Sequence, residues 1–549
     1  MTATATPASA HLDTFSHDHL PPKEQWPELI FSLPELQYPE RLNCCVELLD
    51  QMCEKGYAEK IVIRTYSESW SYAKLLATVN RIAHVLCDEM QLVPGNRVLL
   101  RGANNPMMAA CTLAVIKVGC VVVPTMPLLR AKELNVIIDK AQITAALCSA
   151  SLREEMEHAM QATTTLKQTV YFNEHLPQAV PQAMESLIIE KSDDFVAVDT
   201  LAEDVCLISF TSGTTGLPKG TMHFHRDLLA ICDCFPRSIL DAGADDIFIG
   251  TPPLAFTFGL GGLLLFPLRV GATTVLLEKL TPDLLLKAIA DFSATICFTA
   301  PTFYRQMAPL AQTVNLSSLK KTVSAGEALP VATREAWQQA TGLSMIDGIG
   351  ATEMLHIFIS ASGDEVRSGA TGKVIPGYQA CVLDEDGHVA APGVVGRLAV
   401  KGPTGCRYLA DPRQNSYVYK GWNLSGDAYE MDEDGYFWYR ARTDDMIISA
   451  GYNIAGPEVE EVVLKHPAVS ECAVIGVADE ERGQIVKAFV VLKQGEQASD
   501  ALVKEVQAFV KNTIAPYKYP RAIEFVDALP RTETGKLQRY KLRGLQSSS

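Results

Sequence analysis

The sequence lacks any cluster of lysine and arginine residues, and its 48 basic side chains are outnumbered by 64 acidic ones. The formal net charge of −16 repels a polyanion, so nucleic acid is excluded as an expected partner. An anionic nucleotide would therefore have to be held by a local, preorganised site.

No apolar run is long enough to cross a bilayer. The longest runs, such as residues 260–268, fall far short of the roughly 20 residues that a membrane helix needs, and Pro267 interrupts this one. The first ten residues lack the basic region and the apolar core of a signal peptide. We therefore expect no membrane partner.

The 14 cysteines do not form a disulfide framework of the kind found in small secreted chains. Several stand inside apolar runs, namely Cys111, Cys120, Cys206 and Cys297. We therefore expect buried, reduced thiols in a cytoplasmic protein. A zinc site on His223, His225, Cys232 and Cys234 is disfavoured, because the two pairs lie on either side of a change from strand to helix.

Two common nucleotide signatures are also missing. The hydrolase P-loop fails because Pro218 and Lys219 stand between Gly216 and Gly220, and a strand-like segment follows instead of a helix. The glycine pattern of a dinucleotide-binding fold fails in residues 348–353, which end in glutamate.

What the sequence does have is a loop of four hydroxyl side chains, three glycines and one lysine in residues 211–220. Apolar runs flank the loop, at residues 205–210 and 221–225, so the pattern predicts strand, loop, strand. Glycine lets the backbone approach a phosphate closely, which makes a phosphate-binding loop the working hypothesis. A flexible surface hairpin is the alternative.

At 549 residues the chain exceeds what one hydrophobic core usually organises. Helices and strands alternate in residues 41–150 and again in 246–348, which predicts an α/β fold with helix-flanked sheets. Short strands and turns indicate a small β-rich subdomain at about 371–440, and a mobile α+β unit follows. We predict an N-terminal domain of residues 1–443 and a C-terminal domain of 444–549, with a hinge near Asp444.

Three further segments have chemistry-bearing side chains. Residues 347–353 place two glycines beside two carboxylates, and Glu353 suits Mg²⁺ on a polyphosphate. Asp427 follows a tight turn that suits a ribose diol, and Lys536 ends a glycine-containing loop. Taken singly, each has an ordinary interpretation as a surface or turn residue.

Six segments together resemble adenylate-forming enzymes, the superfamily of acyl- and aryl-CoA ligases, peptide-synthetase adenylation domains and firefly luciferase. The segments are residues 211–220, 324–328, 347–353, 425–427, 440–445 and 531–536, in that order along nearly the whole chain. The resemblance implies a two-step reaction. A carboxylate attacks the α-phosphate of ATP to give an acyl-adenylate and pyrophosphate, and then a thiol, usually coenzyme A, displaces AMP.

The resemblance also implies roles, residue by residue. The β- and γ-phosphates would be held by Thr211, Ser212, Gly213, Thr214, Thr215, Gly216 and Lys219. Adenine and ribose would be bound by Gly326, Glu327, Ala328, Asp347, Gly348, Asp427 and Arg442. Thr352 would contact the α-phosphate and Glu353 would bind Mg²⁺. Lys536 would stabilise the negative charge that develops at phosphorus.

For the second step, the resemblance implies a domain rotation at Asp444 that presents Gly451 to the pantetheine arm. One residue departs from the acetyl-type CoA ligases, which have arginine where Asn453 stands. A stand-alone enzyme that loads an aryl group onto a carrier protein is therefore an open alternative.

The acid pocket is expected in residues 253–261, which lack the aspartate that pairs with the ammonium of an amino acid. This segment and residues 347–358 resemble benzoate–CoA ligases, with Phe256, Thr257, Phe258, Gly350 and His356 as the candidate pocket residues. Phe256 and Phe258 could sandwich a flat ring, and Thr257 or His356 could bond a ring substituent. Residues 11–15 and 20–27 further resemble 2-aminobenzoate (anthranilate)–CoA ligases.

The leading hypothesis is an aryl-CoA ligase that uses ATP, Mg²⁺ and coenzyme A and prefers 2-aminobenzoate over benzoate or hydroxybenzoates. The other hypotheses are the carrier-loading enzyme and a non-catalytic nucleotide-binding protein, and a homodimer is left open.

Overall fold

The structure is a computed structural model that describes residues 8–173, 182–211, 218–443, 445–449, 452–479, 482–514, 516–531 and 537–546. The chain divides into two compact units. The first comprises residues 1–380 and 400–423, and the second comprises residues 381–399 and 424–549.

One sheet of the first unit has six strands. In order they are Gln168–Phe172, Ala145–Ser149, Arg97–Arg101, Val121–Thr125, Val205–Thr211 and Lys219–Phe224. The first five are parallel, and the last two form an antiparallel pair in which Thr211 stands opposite Lys219. This pair confirms the two predicted strands, and residues 212–217 between them lie outside the described residues. The second strand was predicted at 221–225, but it begins at Lys219, and His225 already starts a helix.

A second sheet of the same unit has nine strands. In order they are Lys373–Val374, Ile357–Ser360, Met345–Gly350, Lys321–Ser324, Ile296–Thr299, Ile247–Gly250, Thr273–Val275, Ile61–Arg64 and Ser69–Ser71. The six strands from Met345–Gly350 to Ile61–Arg64 are parallel, and the outer pairings are antiparallel.

Helices accompany these sheets. They are Phe15–Asp18, Tyr72–His84, Pro106–Lys117, Ala131–Ala141, Arg153–Ala162, Met184–Leu187, His225–Ser238, Thr257–Leu260, Phe266–Val270, Pro282–Phe292, Pro301–Met307, Val331–Thr341 and Gln414–Tyr417. The helix Pro106–Lys117 shows how the sequence specifies one of them. The Asn105 side chain caps it by accepting the Met108 N–H at 2.8 Å, and Pro106 occupies the first turn. Every residue of this helix is buried, which explains its almost uncharged sequence.

A third sheet contains the strands Gln379–Leu383, Gly396–Lys401, Trp422–Met431 and Val418–Tyr419 in that order, and Phe437–Arg442 also pairs with Trp422–Met431. The chain passes from one unit to the other within three of these strands. The remaining sheet, in the second unit, has the order Tyr452–Ile454, Ile447–Ser449, Gly483–Leu492 and Val469–Asp479, with Ala522–Phe525 beside Gly483–Leu492.

The second unit has its own hydrophobic core, in which Val459, Val463, Val506 and Val510 meet the sheet. Its helices are Gly456–Val463, Asp500–Thr513 and Arg539–Gln546. The mixed α/β class predicted from the sequence is confirmed. The hinge residue Asp444 lies outside the described residues, so the predicted domain boundary stays a prediction. Among the described residues, no helix combines the length and apolarity that crossing a membrane requires.

Candidate active site

The parallel strands of the nine-stranded sheet end beside the predicted nucleotide and acid segments. The strand Lys321–Ser324 leads into residues 326–328, and Ile247–Gly250 leads into the predicted acid pocket. Ser324 stands beside Asp347 in parallel register. Ligands of open α/β sheets bind at the carboxyl ends of such strands, so this edge is the candidate site.

The predicted adenine segment has an exposed turn. Gly326 has a φ of 90° and is exposed, as is Ala328. Between them, the Glu327 carboxylate accepts a hydrogen bond from the Thr302 hydroxyl at 2.8 Å. This arrangement leaves the turn backbone accessible to a planar ligand.

Asp347 is a buried acid within the strand Met345–Gly350, only 8% exposed. Burial raises the pKa of its carboxyl to about 7, against the opposing attraction of Arg334. One of its carboxylate oxygens has no hydrogen-bond partner among the described residues. Asp347 is therefore poised to exchange a proton, or to bond a ligand, near neutral pH. Gly348, the next residue, packs closely on Ile357.

Lys219 and Glu353, predicted from separate motifs, lie together in the structure. Glu353 belongs to the short helical turn Thr352–Met354 and is 7% exposed. The Lys219 ammonium lies 3.5 Å from Glu353 Oε1. An ammonium group that can bind a phosphate and a carboxylate that can bind Mg²⁺ therefore lie next to each other.

A third residue, Tyr408, joins this pair and was missed by the sequence reasoning. Lys219 Nζ donates to the Tyr408 hydroxyl oxygen at 2.8 Å, and the same hydroxyl donates to Glu353. We call Lys219, Tyr408 and Glu353 the phosphate-side triad. No sequence pattern indicated Tyr408, because its contacts depend on pairing between segments far apart in the chain.

A buried chain of polar groups holds the backbone of the turn Thr352–Met354. The Thr352 carbonyl accepts a hydrogen bond from His223 Nε2 at 2.9 Å, and His223 Nδ1 lies 3.8 Å from Asp227. Arg407 donates to Asp227 at 2.7 Å, with both side chains fully buried. Burial alone would raise the pKa of Asp227, but Arg407 and His223 lower it below its ordinary value.

The predicted acid pocket is largely aromatic. Phe258 lies on the short helix Thr257–Leu260, and its ring centroid is 5.5 Å from that of Phe298 and 5.7 Å from that of His356. Phe266 meets the His356 ring edge-on at 4.5 Å. The structure therefore places Phe258 and His356, predicted from separate segments, against each other. Phe256 and Thr257 are half-buried at the start of the helix, and the sandwich of Phe256 and Phe258 about a ring stays a prediction.

His356 is the polar group in this aromatic wall. Burial lowers the pKa of its imidazole to about 3, despite the opposing effect of the Phe258 backbone. Neither ring nitrogen makes a hydrogen bond of normal geometry to a described residue. A side chain at Gly261 would lie 2.5 Å from the imidazole, so glycine is required there. Gly350 is similarly close to the His356 carbonyl, where a Cβ would lie 2.7 Å from the oxygen.

Asp427 and Arg442, predicted for the ribose, stand opposite each other in the second unit. They are paired in adjacent strands, and Arg442 Nη1 lies 3.1 Å from Asp427 Oδ1. Gly426, with a φ of 78°, allows this approach, since a Cβ there would lie 2.7 Å from the guanidinium. The pair presents an acceptor and a donor side by side.

Several predicted residues lie outside the described residues, namely Ser212, Gly213, Thr214, Thr215, Gly216, Asp444, Gly451 and Lys536. Thr211 is described, and its buried hydroxyl has no partner among the described residues.

The structure brings together a different set of possible metal ligands from the zinc pattern of His223, His225, Cys232 and Cys234. In the described part of the chain, the ligand atoms of Cys44, Cys206 and His225 approach within 4.8 Å. His225 Nδ1 already accepts the Cys44 N–H at 3.2 Å.

Comparison with known proteins shows the family of the chain. The model of the AMP-binding enzyme family matches residues 50–408, and that of the AMP-binding enzyme C-terminal domain matches residues 458–536. A benzoate–CoA ligase of Thauera aromatica is 36% identical over 516 residues, which are 93% of this chain and 97% of that protein.

Two solved structures are similar along almost their full length. The anthranilate CoA ligase AuaEII, in complex with anthranoyl-AMP, superimposes with a TM-score of 0.88 at 31% identity, covering 94% of this chain and 100% of that one. A benzoate CoA ligase from Burkholderia xenovorans LB400 gives a TM-score of 0.83 at 32% identity, covering 91% and 100%.

The chain belongs to the AMP-binding enzyme family of adenylate-forming proteins. It is an acid–thiol ligase that couples a carboxylic acid to a thiol through an adenylate.

Proposed function

We propose that the protein is a 2-aminobenzoate–CoA ligase that consumes ATP and releases AMP and pyrophosphate. The neutral, buried His356 among phenylalanine rings is the observation that carries this choice. An arylamine is a weak base and is uncharged at neutral pH, so its N–H can donate to a neutral imidazole without burying a charge. The similarity to a benzoate–CoA ligase and to an anthranilate CoA ligase points in the same direction.

The rest of the pocket suits a flat ring. Phe258 offers an aromatic face, Gly350 allows the close backbone approach of the His356 segment, and the Thr257 hydroxyl is a second hydrogen-bonding group for a ring substituent. Benzoate and hydroxybenzoates are the alternative substrates. They differ from 2-aminobenzoate only in the ring substituent that Thr257 and His356 would contact. Phe256 would complete the aromatic contact.

The nucleotide would be held by residues from several of the predicted motifs. We assign the β- and γ-phosphates to the segment Thr211–Gly216 and Lys219, and the α-phosphate to Thr352. The adenine would contact Gly326, Glu327, Ala328, Asp347 and Gly348. The ribose diol would bond Asp427 and Arg442, which offer an acceptor and a donor.

Glu353 fits a role in holding Mg²⁺. It is a buried hard oxygen ligand next to Lys219, and Mg²⁺ usually keeps several waters while binding one or two carboxylates and phosphates. When bound, the ion would neutralise phosphate charge. Lys219 and Thr352 would orient the same phosphates from the protein side.

In the first step, a carboxylate oxygen of the acid forms a bond to the α-phosphorus as the bond to pyrophosphate breaks. The acid is already ionised at neutral pH, so no base is needed. Lys536 would stabilise the charge on the phosphoryl oxygens. In the second step, the thiolate of coenzyme A attacks the acyl carbon and AMP leaves. We assign the intervening domain rotation to Asp444 and the passage for the thiol to Gly451.

Asn453 stands where acetyl-type ligases have arginine, so a carrier protein is the second candidate acceptor. Turnover of free coenzyme A distinguishes the two, because a carrier-loading enzyme would transfer the aryl group to pantetheine on a protein and leave free coenzyme A unused.

The half-reactions test the mechanism. Lys536→Ala should reduce ATP–pyrophosphate exchange by about 100-fold or more, the size of loss seen when a preorganised charge-stabilising group is removed. Thioester formation from supplied 2-aminobenzoyl-adenylate should stay within about twofold of wild type, because the lysine serves only adenylation. Lys287→Ala, at an exposed lysine, is the matched control. Equal loss of both half-reactions would contradict the assignment.

A further inference from the structure

We propose that Tyr408 is a positioning residue for adenylation, whose hydroxyl holds the Lys219 ammonium and the Glu353 carboxylate apart in the arrangement that receives magnesium and ATP. The inference rests on the proposed function of Lys219 and Glu353 and adds a residue that none of the sequence motifs contains.

The backbone fixes Tyr408 firmly. Residues 407–409 run antiparallel beside the strand Lys219–Phe224, with Met222 N–H donating to the Arg407 carbonyl and Leu409 N–H to the Gly220 carbonyl, both at 2.8 Å. The Tyr408 N–H donates to the Gln414 side chain at 2.9 Å. The side chain is 1% exposed, so its position is determined by packing on all sides.

Successive residues of an extended segment point to opposite faces. The side chains of Arg407 and Tyr408 therefore point in opposite directions, yet both lead to the turn Thr352–Met354. Arg407 points to Asp227, which leads through His223 to the Thr352 carbonyl. Tyr408 points the other way, to Glu353, the residue after Thr352. One two-residue stretch therefore supports both predicted ligand-binding residues of the turn.

The Tyr408 hydroxyl can satisfy both Lys219 and Glu353, because it accepts one hydrogen bond and donates another. An ammonium can only donate and an ionised carboxylate can only accept, whereas a hydroxyl does both. The order is therefore Lys219 N–H to Tyr408 O, and Tyr408 O–H to Glu353. A phenol ordinarily loses its proton only at about pH 10, so the Tyr408 hydroxyl is protonated at neutral pH and can donate.

The hydroxyl also limits a competing interaction. Lys219 Nζ and Glu353 Oε1 are 3.5 Å apart, within ion-pair range, and could close further into a direct charge-assisted hydrogen bond, which would remove both from the phosphates and the metal. By accepting one hydrogen bond from Lys219 and donating one to Glu353, Tyr408 keeps the two charges separate. The Lys219 ammonium also lies 4.9 Å from the centre of the Tyr408 ring, so the ring restrains the lysine as well.

Tyr408→Phe removes the hydroxyl and keeps the ring. We expect kcat/KM for ATP in ATP–pyrophosphate exchange to fall about 10- to 100-fold, the usual cost of losing a group that orients a metal ligand. The Mg²⁺ concentration for half-maximal exchange should rise by a similar factor. Thioester formation from supplied 2-aminobenzoyl-adenylate should change less than twofold.

Tyr72→Phe is the matched control, because within the described part of the chain its buried hydroxyl bonds backbone carbonyls alone, those of Ala272 at 2.9 Å and Pro267 at 3.3 Å. This variant loses a buried hydroxyl but should keep the wild-type Mg²⁺ requirement. A Tyr408→Phe variant with the wild-type Mg²⁺ requirement, or with both half-reactions reduced equally, would overturn the proposal.

Two further measurements separate this proposal from the proposed function. Mg²⁺-dependent ATP binding, followed by calorimetry without any acid, should weaken in Tyr408→Phe even if no aromatic acid is turned over. Failure of the wild type to activate aromatic acids would count against the proposed substrate, not against Tyr408. In a double-mutant cycle, Tyr408→Phe with Glu353→Gln should bind ATP no more weakly than Glu353→Gln alone. Additive losses would contradict the coupling.

Discussion

Two buried regions of the first unit differ in whether their polar side chains are paired with one another. In the phosphate-side triad and in the Arg407–Asp227–His223 chain, ionisable side chains are linked to one another by hydrogen bonds or close contacts. In the proposed acid pocket, the imidazole of His356 contacts the rings of Phe258, Phe266 and Phe298, and burial keeps it neutral. Paired charges suit a site for phosphates, and a neutral polar group suits a flat acid with an uncharged substituent.

Breaking the pairing behind the triad should have the largest effect. Asp227→Asn leaves the Arg407 guanidinium buried without its anion, and removing one partner of a buried pair costs about 3–5 kcal/mol. We expect the free energy of unfolding of the first unit to fall by that amount, measured by chemical denaturation.

Lys287→Ala is the control for that variant, because the exposed Lys287–Asp291 pair should be worth only about 0.2–1 kcal/mol. Adding Arg407→Met to Asp227→Asn should restore part of the loss, since no uncompensated charge then remains. A loss no larger than that of the exposed pair would mean that Asp227 does not neutralise Arg407.

Asp347 is an intermediate case between the two regions. Its carboxyl is buried, and the attraction of Arg334 does not offset the effect of burial. Its pKa of about 7 in the folded state lies above the ordinary value of 3.8, so the folded state binds more protons between these pH values. Stability should therefore fall as pH rises from about 4 to 7, with a slope of up to about 1.4 kcal/mol per unit, and level off above.

Asp347→Asn should flatten this dependence and be more stable than wild type at pH 8, measured as unfolding free energy across the pH range. Asp364→Asn, at an exposed carboxylate, should leave the wild-type slope unchanged. An unchanged slope in Asp347→Asn would show that the Asp347 carboxyl is ionised throughout.

The smallest effect is expected in the acid pocket. Thr257→Ala removes one hydrogen-bonding group, worth about 0.5–1.5 kcal/mol. The preference for 2-aminobenzoate over benzoate, measured as a ratio of kcat/KM values, should fall roughly 3- to 10-fold. Thr281→Ala, on an exposed residue whose hydroxyl bonds Asp283, is the control. An unchanged ratio would remove Thr257 from substrate selection.

Local patterns predicted much of this structure. The alternation of helices and strands predicted for residues 246–348 is observed, for example in the strand Ile247–Gly250 and the helical run from Thr257 to Val270. Lys219 and Glu353 were found because each belongs to a local motif.

The residues that connect these motifs could not be predicted in the same way. Tyr408 reaches Lys219 across 189 positions, and Arg407 reaches Asp227 across 180. Such contacts depend on which segments pair in the folded chain. His356 was predicted as a pocket residue, but its neutral state follows from burial by Phe258 and Phe266, which no local pattern reveals.

The most direct test of the central claim is CoA thioester formation by the wild-type protein with ATP and Mg²⁺ over a panel of acids. The panel comprises benzoate, 2-aminobenzoate, 2-hydroxybenzoate, 3-hydroxybenzoate and 4-hydroxybenzoate. We predict the highest kcat/KM for 2-aminobenzoate, with AMP and pyrophosphate formed in equal amounts. A kcat/KM for benzoate equal to or above that for 2-aminobenzoate would contradict the proposed substrate, and absence of thioester with every acid would contradict the aryl-CoA ligase.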